Sequence, residues 1–387
     1  MALLSAPGAG QDSQQPPVIR SGVELVRVDV QVVDRSGQPI TSLGPKDFDV
    51  TLDRKSRRVV SAELVRHTSA EIPEAGAGRP APPAGGANAA QGRRFVLAID
   101  EHSFRAASAR AAMHAAGRFI DQLQPGDLVG FYTYPTGAAH SPLTDDHDAV
   151  RRALDGVTGL LDLPMARFNL SRSEIIDISS GDVDVLTRVS ERVCGPRSPT
   201  CRREVRDEAI SMAGYFEMQV SQSLAGLRRL FEGLSELEGR KMLVIVSGGL
   251  LTSDRATGRV NMAAEIQQAG REAAASNTNI YVLHLDSSFI DAFSERRGPS
   301  PTLLRDSGSL AAGLERIADT AGGALLRVQA GTGDTAFQRV LRENSAYYLL
   351  GVVPESQDRD GDAHAIRVRV RLRGATVRSR AQVIVPR

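Results

Sequence analysis

The chain has 387 residues, 41% hydrophobic and 24% charged, with a net charge of +1. That is enough for two domains and a sizeable core, and it excludes a global field drawing the chain toward nucleic acid or membrane. Tryptophan is absent and Phe and Tyr are few, which argues against a base-stacking or sugar-binding surface. Only Lys46, Lys55 and Lys241 among 47 basic residues are lysines, and the arginines are scattered. No nucleic-acid partner is expected. No apolar run approaches the roughly 20 residues of a membrane span, so no transmembrane segment is expected either.

Residues 1–20 read as a disordered tail or the remnant of a signal peptide, because a short apolar patch is followed by small and polar residues. From Val23 to Val33 apolar and polar residues alternate with period two, the pattern of a half-buried strand. Phe48–Leu52 alternates again, Asp53–Ser56 reads as a turn, and Val59–Val65 is the next strand. So small an antiparallel unit (21–70) is not stable unless something completes it. Residues 71–92 are mostly Ala, Pro and Gly, the composition of a flexible linker.

Phe95–Ile99 is a continuous apolar run of strand length that ends in Asp100. Such a run suits a strand covered on both faces of a parallel sheet. Helical spacing follows at Ala109, Met113, Ala116, Ile120 and Leu123, and Pro125-Gly126 stops it. Leu128–Thr133 is a strand with an exit loop at Tyr134–Gly137, and Ala149–Leu154 a short helix. Residues 155–203 read as an inserted loop region. A long amphipathic helix runs from about Arg203 to Glu238, with Val205, Ala209, Met212, Phe216, Val220, Leu224, Leu227, Phe231 and Leu234 on one face. Met242–Val246 is a buried strand that exits through Ser247-Gly248-Gly249, and Asn261–Ser276 a helix. The strand Asn279–Asp286 again closes on an acid. A loop covers 294–309, a helix 310–321, and a strand 324–328. Alternating strands and helices over 93–343 predict a doubly wound, mostly parallel, Rossmann-like α/β sheet. Residues 344–387 carry strands at Tyr347–Val353, around Ile366–Leu372, and at Val377–Val385. They supply what the N-terminal unit lacks, so a small antiparallel β-sandwich built from both chain ends is expected.

Cys194 and Cys201 bracket a turn-rich loop. A disulfide across it would contribute about 2.5 kcal/mol in the loop-entropy model, and disulfides belong to exported proteins. The expected location is secreted, periplasmic or cell envelope, with the cytoplasm as the alternative.

Several segments together resemble the bacterial, Acidobacteria-type family of von Willebrand factor A-related proteins. They are Val23–Val33 with Gly37–Ile40 and Lys46–Phe48, then Phe95–Phe104, Gly239–Gly249, Leu314–Gly323 and Tyr347–Pro354. The resemblance implies an A-domain flanked by a β unit, usually exported, with no established activity. In classical A-domains an Asp-x-Ser-x-Ser turn after the first strand holds a divalent cation, completed by a Thr and an Asp from two other loops. Asp100 matches the first position. His102 and Phe104 stand where the serines belong, Ser103 is one place off, and Ser247 replaces the second strand-end acid. Thr133 and Thr136 are the candidates for the threonine.

The candidate metal residues are thus Asp100, His102, Ser103 and Ser247, at a degenerate site for Mg2+ or Ca2+. The other reading of Asp100 is a carboxylate that caps the following helix. Asp100, Glu101, His102, Thr136, Ser247 and Asp286 are expected to line a face that contacts a protein partner. No catalytic set is apparent: G-x-S-x-G and the phosphate-loop pattern are missing. The expected function is a non-enzymatic, adhesion-type binding module. The alternatives are a hydrolase using Asp100, His102 and Asp286, or a vestigial structural envelope protein. Asp358–Asp362 imitates the start of a calcium loop, but position twelve would be Arg369, so a hairpin turn is expected there.

Overall fold

The structure is a computed structural model that describes residues 25–67, 92–196, 198–237, 239–255, 258–276, 278–286, 302–328 and 333–387. The expectations for residues 1–20, and for the linker up to 91, lie outside these. Among the described residues no helix is long and apolar enough to cross a membrane.

Four strands come first: β1 (Val26–Val33), β2 (Phe48–Leu52), β3 (Lys55–Arg57) and β4 (Val59–Arg66). Asp53 and Arg54 both have positive φ, the geometry of a tight two-residue hairpin turn, so part of the expected turn is the strand β3. The central portion holds β5 (Arg94–Asp100), α1 (Ala106–Ile120), β6 (Leu128–Tyr134), β7 (His140–Thr144), α2 (His147–Leu154), α3 (Arg172–Ser179), α4 (Val183–Cys194) and α5 (Pro199–Ser235). It continues with β8 (Lys241–Ser247), α6 (Ala263–Ala275), β9 (Thr278–Leu285), α7 (Leu303–Thr320), β10 (Ala324–Val328) and α8 (Gly333–Glu343). Last come β11 (Ala346–Val352), β12 (Ala363–Val370), β13 (Thr376–Ser379) and β14 (Gln382–Ile384).

The central six-stranded sheet has the order β10-β9-β8-β5-β6-β7. All its pairings are parallel except β6 with the edge strand β7. Apolar residues on both faces bury against helices. Phe95, Leu97 and Ile99 pack with α1, α2 and α8, while Val96, Leu243 and Val282 pack with α5, α6 and α7. The chain works outward from β5 to β7, then returns and works outward again from β8 to β10. The order therefore switches between β5 and β8, and in open α/β sheets ligands sit outside the carboxyl ends of the strands at such a point.

Two antiparallel sheets, β13-β1-β11-β4 and β14-β12-β2-β3, each mix strands from both chain ends. Val28, Val50, Leu350 and Val368 share one core between them. The expected single strand Val377–Val385 is in fact two. β13 pairs with β1 and β14 with β12, so the chain crosses from one sheet to the other. Alternation alone cannot show which sheet a strand joins. The Asp358–Asp362 segment does not close the expected hairpin: it leads out of a 3-10 turn at Ser356–Asp358 and joins β11 to β12, which lie in different sheets. Asp358 accepts two hydrogen bonds of 2.6 Å from Arg57.

The region expected to be an inserted loop is largely helical. Ser171 caps α3 reciprocally with Glu174, and Asp182 caps α4 by accepting from Val185; each such cap is favourable by about 1 kcal/mol. Cys194 and Cys201 form a disulfide, with Cα atoms 6.1 Å apart, that ties the end of α4 to the start of α5. α5 is one helix of 37 residues that begins at Pro199, earlier than the apolar pattern suggests. Likewise α7 begins at Leu303, inside the stretch expected to be a loop, because buried Asp306, Ser307 and Ser309 break the apolar period.

The sandwich docks on the parallel sheet through a polar junction. The Gln31 amide donates to Asn344 and to the Glu343 carbonyl, and its oxygen accepts from Asn279 and Tyr281. Backbone approach is close here: a Cβ on Gly322, whose φ is +74°, would stand 1.8 Å from the Ser379 carbonyl oxygen. Gly322→Ala is expected to cost about 2–4 kcal/mol through strain and overlap. The urea midpoint of unfolding measures this, and an unchanged midpoint would contradict the close approach.

Candidate functional site

The last residue on the α5/α7 side of each parallel strand of the central sheet is polar, buried on β5, β6, β8 and β9 and exposed at Arg327 of β10. Asp100 pairs in register with Tyr134, Ser247 with His284, and His284 with Arg327. Ile99 pairs with Val246, so Asp100 and Ser247 follow side by side across the switch between β5 and β8. Tyr134, Asp100, Ser247, His284 and Arg327 thus form one row across the carboxyl edge, on the face covered by α5 and α7. Below it the same face is apolar through Val96, Ala98, Leu243, Ile245 and Val282.

Asp100 is 1% exposed. Its Oδ2 accepts from Ser247 Oγ at 2.8 Å, and its Oδ1 from Ser223 Oγ on α5 at 3.4 Å. Burial pushes its carboxyl up to about 7, against the opposing pull of these hydroxyls. The helix-cap reading is therefore corrected: no side-chain cap bond is made at Asp100, and α1 begins later, after Arg105. Tyr134 and His284 are fully buried, and neither the phenol oxygen nor either ring nitrogen makes a well-aligned hydrogen bond, although the phenol lies beside Asp100 and Ser247 and the imidazole beside the Ser247 backbone. Burial, and then the charge of Asp100, keep the Tyr134 phenol protonated; burial also lowers the His284 ring below its ordinary range.

The exit loops are tied together above this row. Ser103 Oγ donates to the Asp100 carbonyl and accepts from Gly248 N, both at 2.8 Å. Glu101 accepts from the Thr136 hydroxyl and backbone N–H. Residues after α2 then roof the edge: Leu160 N donates to the Glu101 carbonyl at 2.6 Å and Leu161 N to the Phe104 carbonyl at 2.8 Å. Gln219 of α5 donates to the His102 carbonyl at 2.8 Å. Beyond the roof, α3 is latched to α7 by Ser173 N on Asp306 and by Arg305 on Asp177. What remains between Asp100, Ser103, Gln219, Ser223 and Gly248 is a cleft of about 40 Å³.

The structure does not bring the expected residues together as one surface. Asp100, Glu101 and Ser247 are buried and cannot touch a partner in this arrangement, which corrects their assignment to a contact face. Thr136 is exposed, and His102 and Asp286 are half-buried. Asp286 follows the end of β9 and accepts from Ser307 of α7. It sits two strands from Asp100, roughly 10 Å at the usual strand spacing, outside the hydrogen-bond reach that a shared catalytic role with Asp100 and His102 needs.

The donors suit a divalent cation poorly. Such an ion takes six or more oxygen ligands with carboxylate charge among them. Asp100 is a single carboxylate, buried and already engaged by the Ser223 and Ser247 hydroxyls, and Ser103 donates to the Asp100 backbone carbonyl. Among the described residues no group of three or more His, Cys, Asp or Glu could hold a metal ion.

Tyr134, Ser223 and His284 were not singled out from the sequence. The signal was available for two of them: Ser223 falls on the apolar face of α5 between Val220 and Leu227, and His284 keeps the inward parity of Ile280 and Val282.

No protein-family model matches the chain, and no curated protein is detectably similar to it. Among solved structures, the chain is similar at 10% identity to the pilus adhesin SpaC from Lactobacillus rhamnosus GG, with a TM-score of 0.35. That likeness covers 66% of this chain and 31% of the adhesin, so the chain spans about a third of the adhesin's length.

Proposed function

We propose that the chain is a non-enzymatic binding module built on a von Willebrand A-type domain, with another protein as its partner and no resident divalent cation. The closed switch point carries this reading. Where sheets of this kind take small ligands, the cleft of about 40 Å³ is well below the roughly 300–1,000 Å³ of small-molecule sites. The acid there is spent on serine hydroxyls. Recognition then falls to the exposed rim, formed by Thr136, Ala138 and the half-buried His102. The strand order about β5 and β8, together with the segments Phe95–Phe104 and Gly239–Gly249, supports the A-type assignment. The Cys194–Cys201 disulfide supports a place outside the reducing cytoplasm.

The test is retention of a native envelope protein by the immobilised full chain, with magnesium and with EDTA. Retention is expected to be equal in both and to weaken at least about tenfold in Ala138→Arg, the cost of about 1.4 kcal/mol that a rim clash readily reaches. Loss of retention in EDTA alone would overturn the metal-independent reading.

A further inference from the structure

The junction between the sandwich and the central sheet contains a second, smaller cleft, of about 30 Å³. Asp29, Arg240, Thr278, Asn279, Arg378 and Arg380 line it. Most of their polar atoms are committed. Arg378 donates to Glu343 at 2.9 Å and to the Gly323 carbonyl at 2.8 Å. Thr278 donates to the Ser276 carbonyl, and Asn279 to Gln31. Arg240 lies over the Tyr347 ring with its guanidinium carbon 4.4 Å from the centroid, and one Arg380 nitrogen donates to the Arg27 carbonyl. Two guanidinium nitrogens are left over: Arg240 Nη1 and Arg380 Nε are shielded from solvent and have no hydrogen-bond partner.

A shielded cationic N–H without an acceptor is costly, and native proteins supply such groups with a water or an ion. The charges favour an ion here. The three arginines of the lining, and Arg339, which shares Glu343 with Arg378, are set against Asp29 and Glu343, which leaves two positive charges in excess. Burial lowers the Arg380 guanidinium from its ordinary range, and Asp29 opposes this only in part. In size, about 10–15 Å³ of such space holds one water, so the cleft accommodates two or three water-sized atoms.

We infer that this cleft binds a small anion, chloride or a single carboxylate group, between Arg240 and Arg380. Its walls come from β1, β13 and Arg380 just after it on the sandwich side, and from β9 and Arg240 just before β8 on the side of the central sheet, so the bound anion pins one to the other. The consequence is stability that depends on the anion supplied. It does not depend on the reading of the switch point.

Thermal unfolding of the full chain tests this at fixed ionic strength and pH, with sodium isethionate replaced stepwise by sodium chloride or, in a second arm, sodium formate. Each tenfold rise in the small anion above its dissociation constant is expected to raise Tm by about 2 °C. The rise should be lost in Arg380→Gln. An equal rise in the variant, or no rise in the wild type, would overturn the inference. Should Arg380→Gln fail to fold, Arg240→Gln takes its place. Crystals of the wild type soaked in bromide give an independent reading: an anomalous peak between Arg240 and Arg380 is expected, and a water alone there overturns the site.

Discussion

Asp100→Asn is expected to stabilise the folded protein at pH 8. The Asp100 carboxyl titrates near 7 in the fold against an ordinary value of 3.8. A carboxyl raised in this way contributes stability that is fully present below about pH 4 and is lost as pH rises to about 7. Above that the fold must hold a buried charge that the unfolded chain keeps in water. The loss is on the order of 4 kcal/mol. Asparagine has the same shape, still accepts from Ser247, and can donate to Ser223, without carrying the charge. Urea midpoints at pH 4, 6 and 8 should therefore coincide for the two proteins at the acid end and diverge as pH rises, with the variant the more stable. A variant less stable than the wild type at pH 8 would mean that Asp100 is ionised and well compensated. That outcome would reopen the metal reading.

Glu343→Ala should act in the opposite direction and strongly. The Glu343 side chain is fully buried, accepts from Arg339 at 2.8 Å and from Arg378 at 2.9 Å, and shares with Gln31 the single proton of the Tyr281 hydroxyl, 3.1 Å away. Removing it strands the Arg378 guanidinium, itself only 10% exposed, at the junction of α8, β9 and β13. Breaking one partner of a buried pair costs about 3–5 kcal/mol. Because the network joins the sandwich to the central sheet, protease sensitivity is expected to rise with the loss of stability. Limited proteolysis and a urea titration measure the two effects; a loss below about 1 kcal/mol would mean that water replaces the carboxylate at little cost.

The central sheet was legible because its strands are buried on both faces. Phe95–Ile99 and Met242–Val246 are uninterrupted apolar runs followed directly by a polar strand end and a loop; Ala346–Leu350 is a run of the same length but belongs to the sandwich. The small helices α3 and α4 were not legible. Their apolar contacts are few, Ile175, Ile176 and Ile178 on α3 and Val185 and Val189 on α4, and are set among the polar residues of the caps at Ser171 and Asp182 and of ion pairs such as Arg192 with Glu174, so they carry short apolar stripes in polar sequence. Strand β7 escaped for a related reason: as an edge strand, His140–Thr144 is mostly half-exposed and has no core pattern.

At the candidate site the sequence located Asp100 and Ser247 at strand ends, and they are hydrogen-bonded to each other. It could not show that residues around Leu160 and Leu161 roof the edge, since those bonds are made by backbone N–H groups whatever the side chain. The burial that converts Asp100 from an exposed ligand to a carboxyl near 7 was therefore invisible until the roof was seen.

The most direct test of the closed, metal-independent switch point is calorimetric titration of the full chain with magnesium, calcium and manganese at pH 7.5. No saturable heat is expected up to about millimolar metal, a binding free energy weaker than about −4 kcal/mol, and Asp100→Ala should behave as the wild type does. Micromolar binding that disappears in Asp100→Ala would contradict the account.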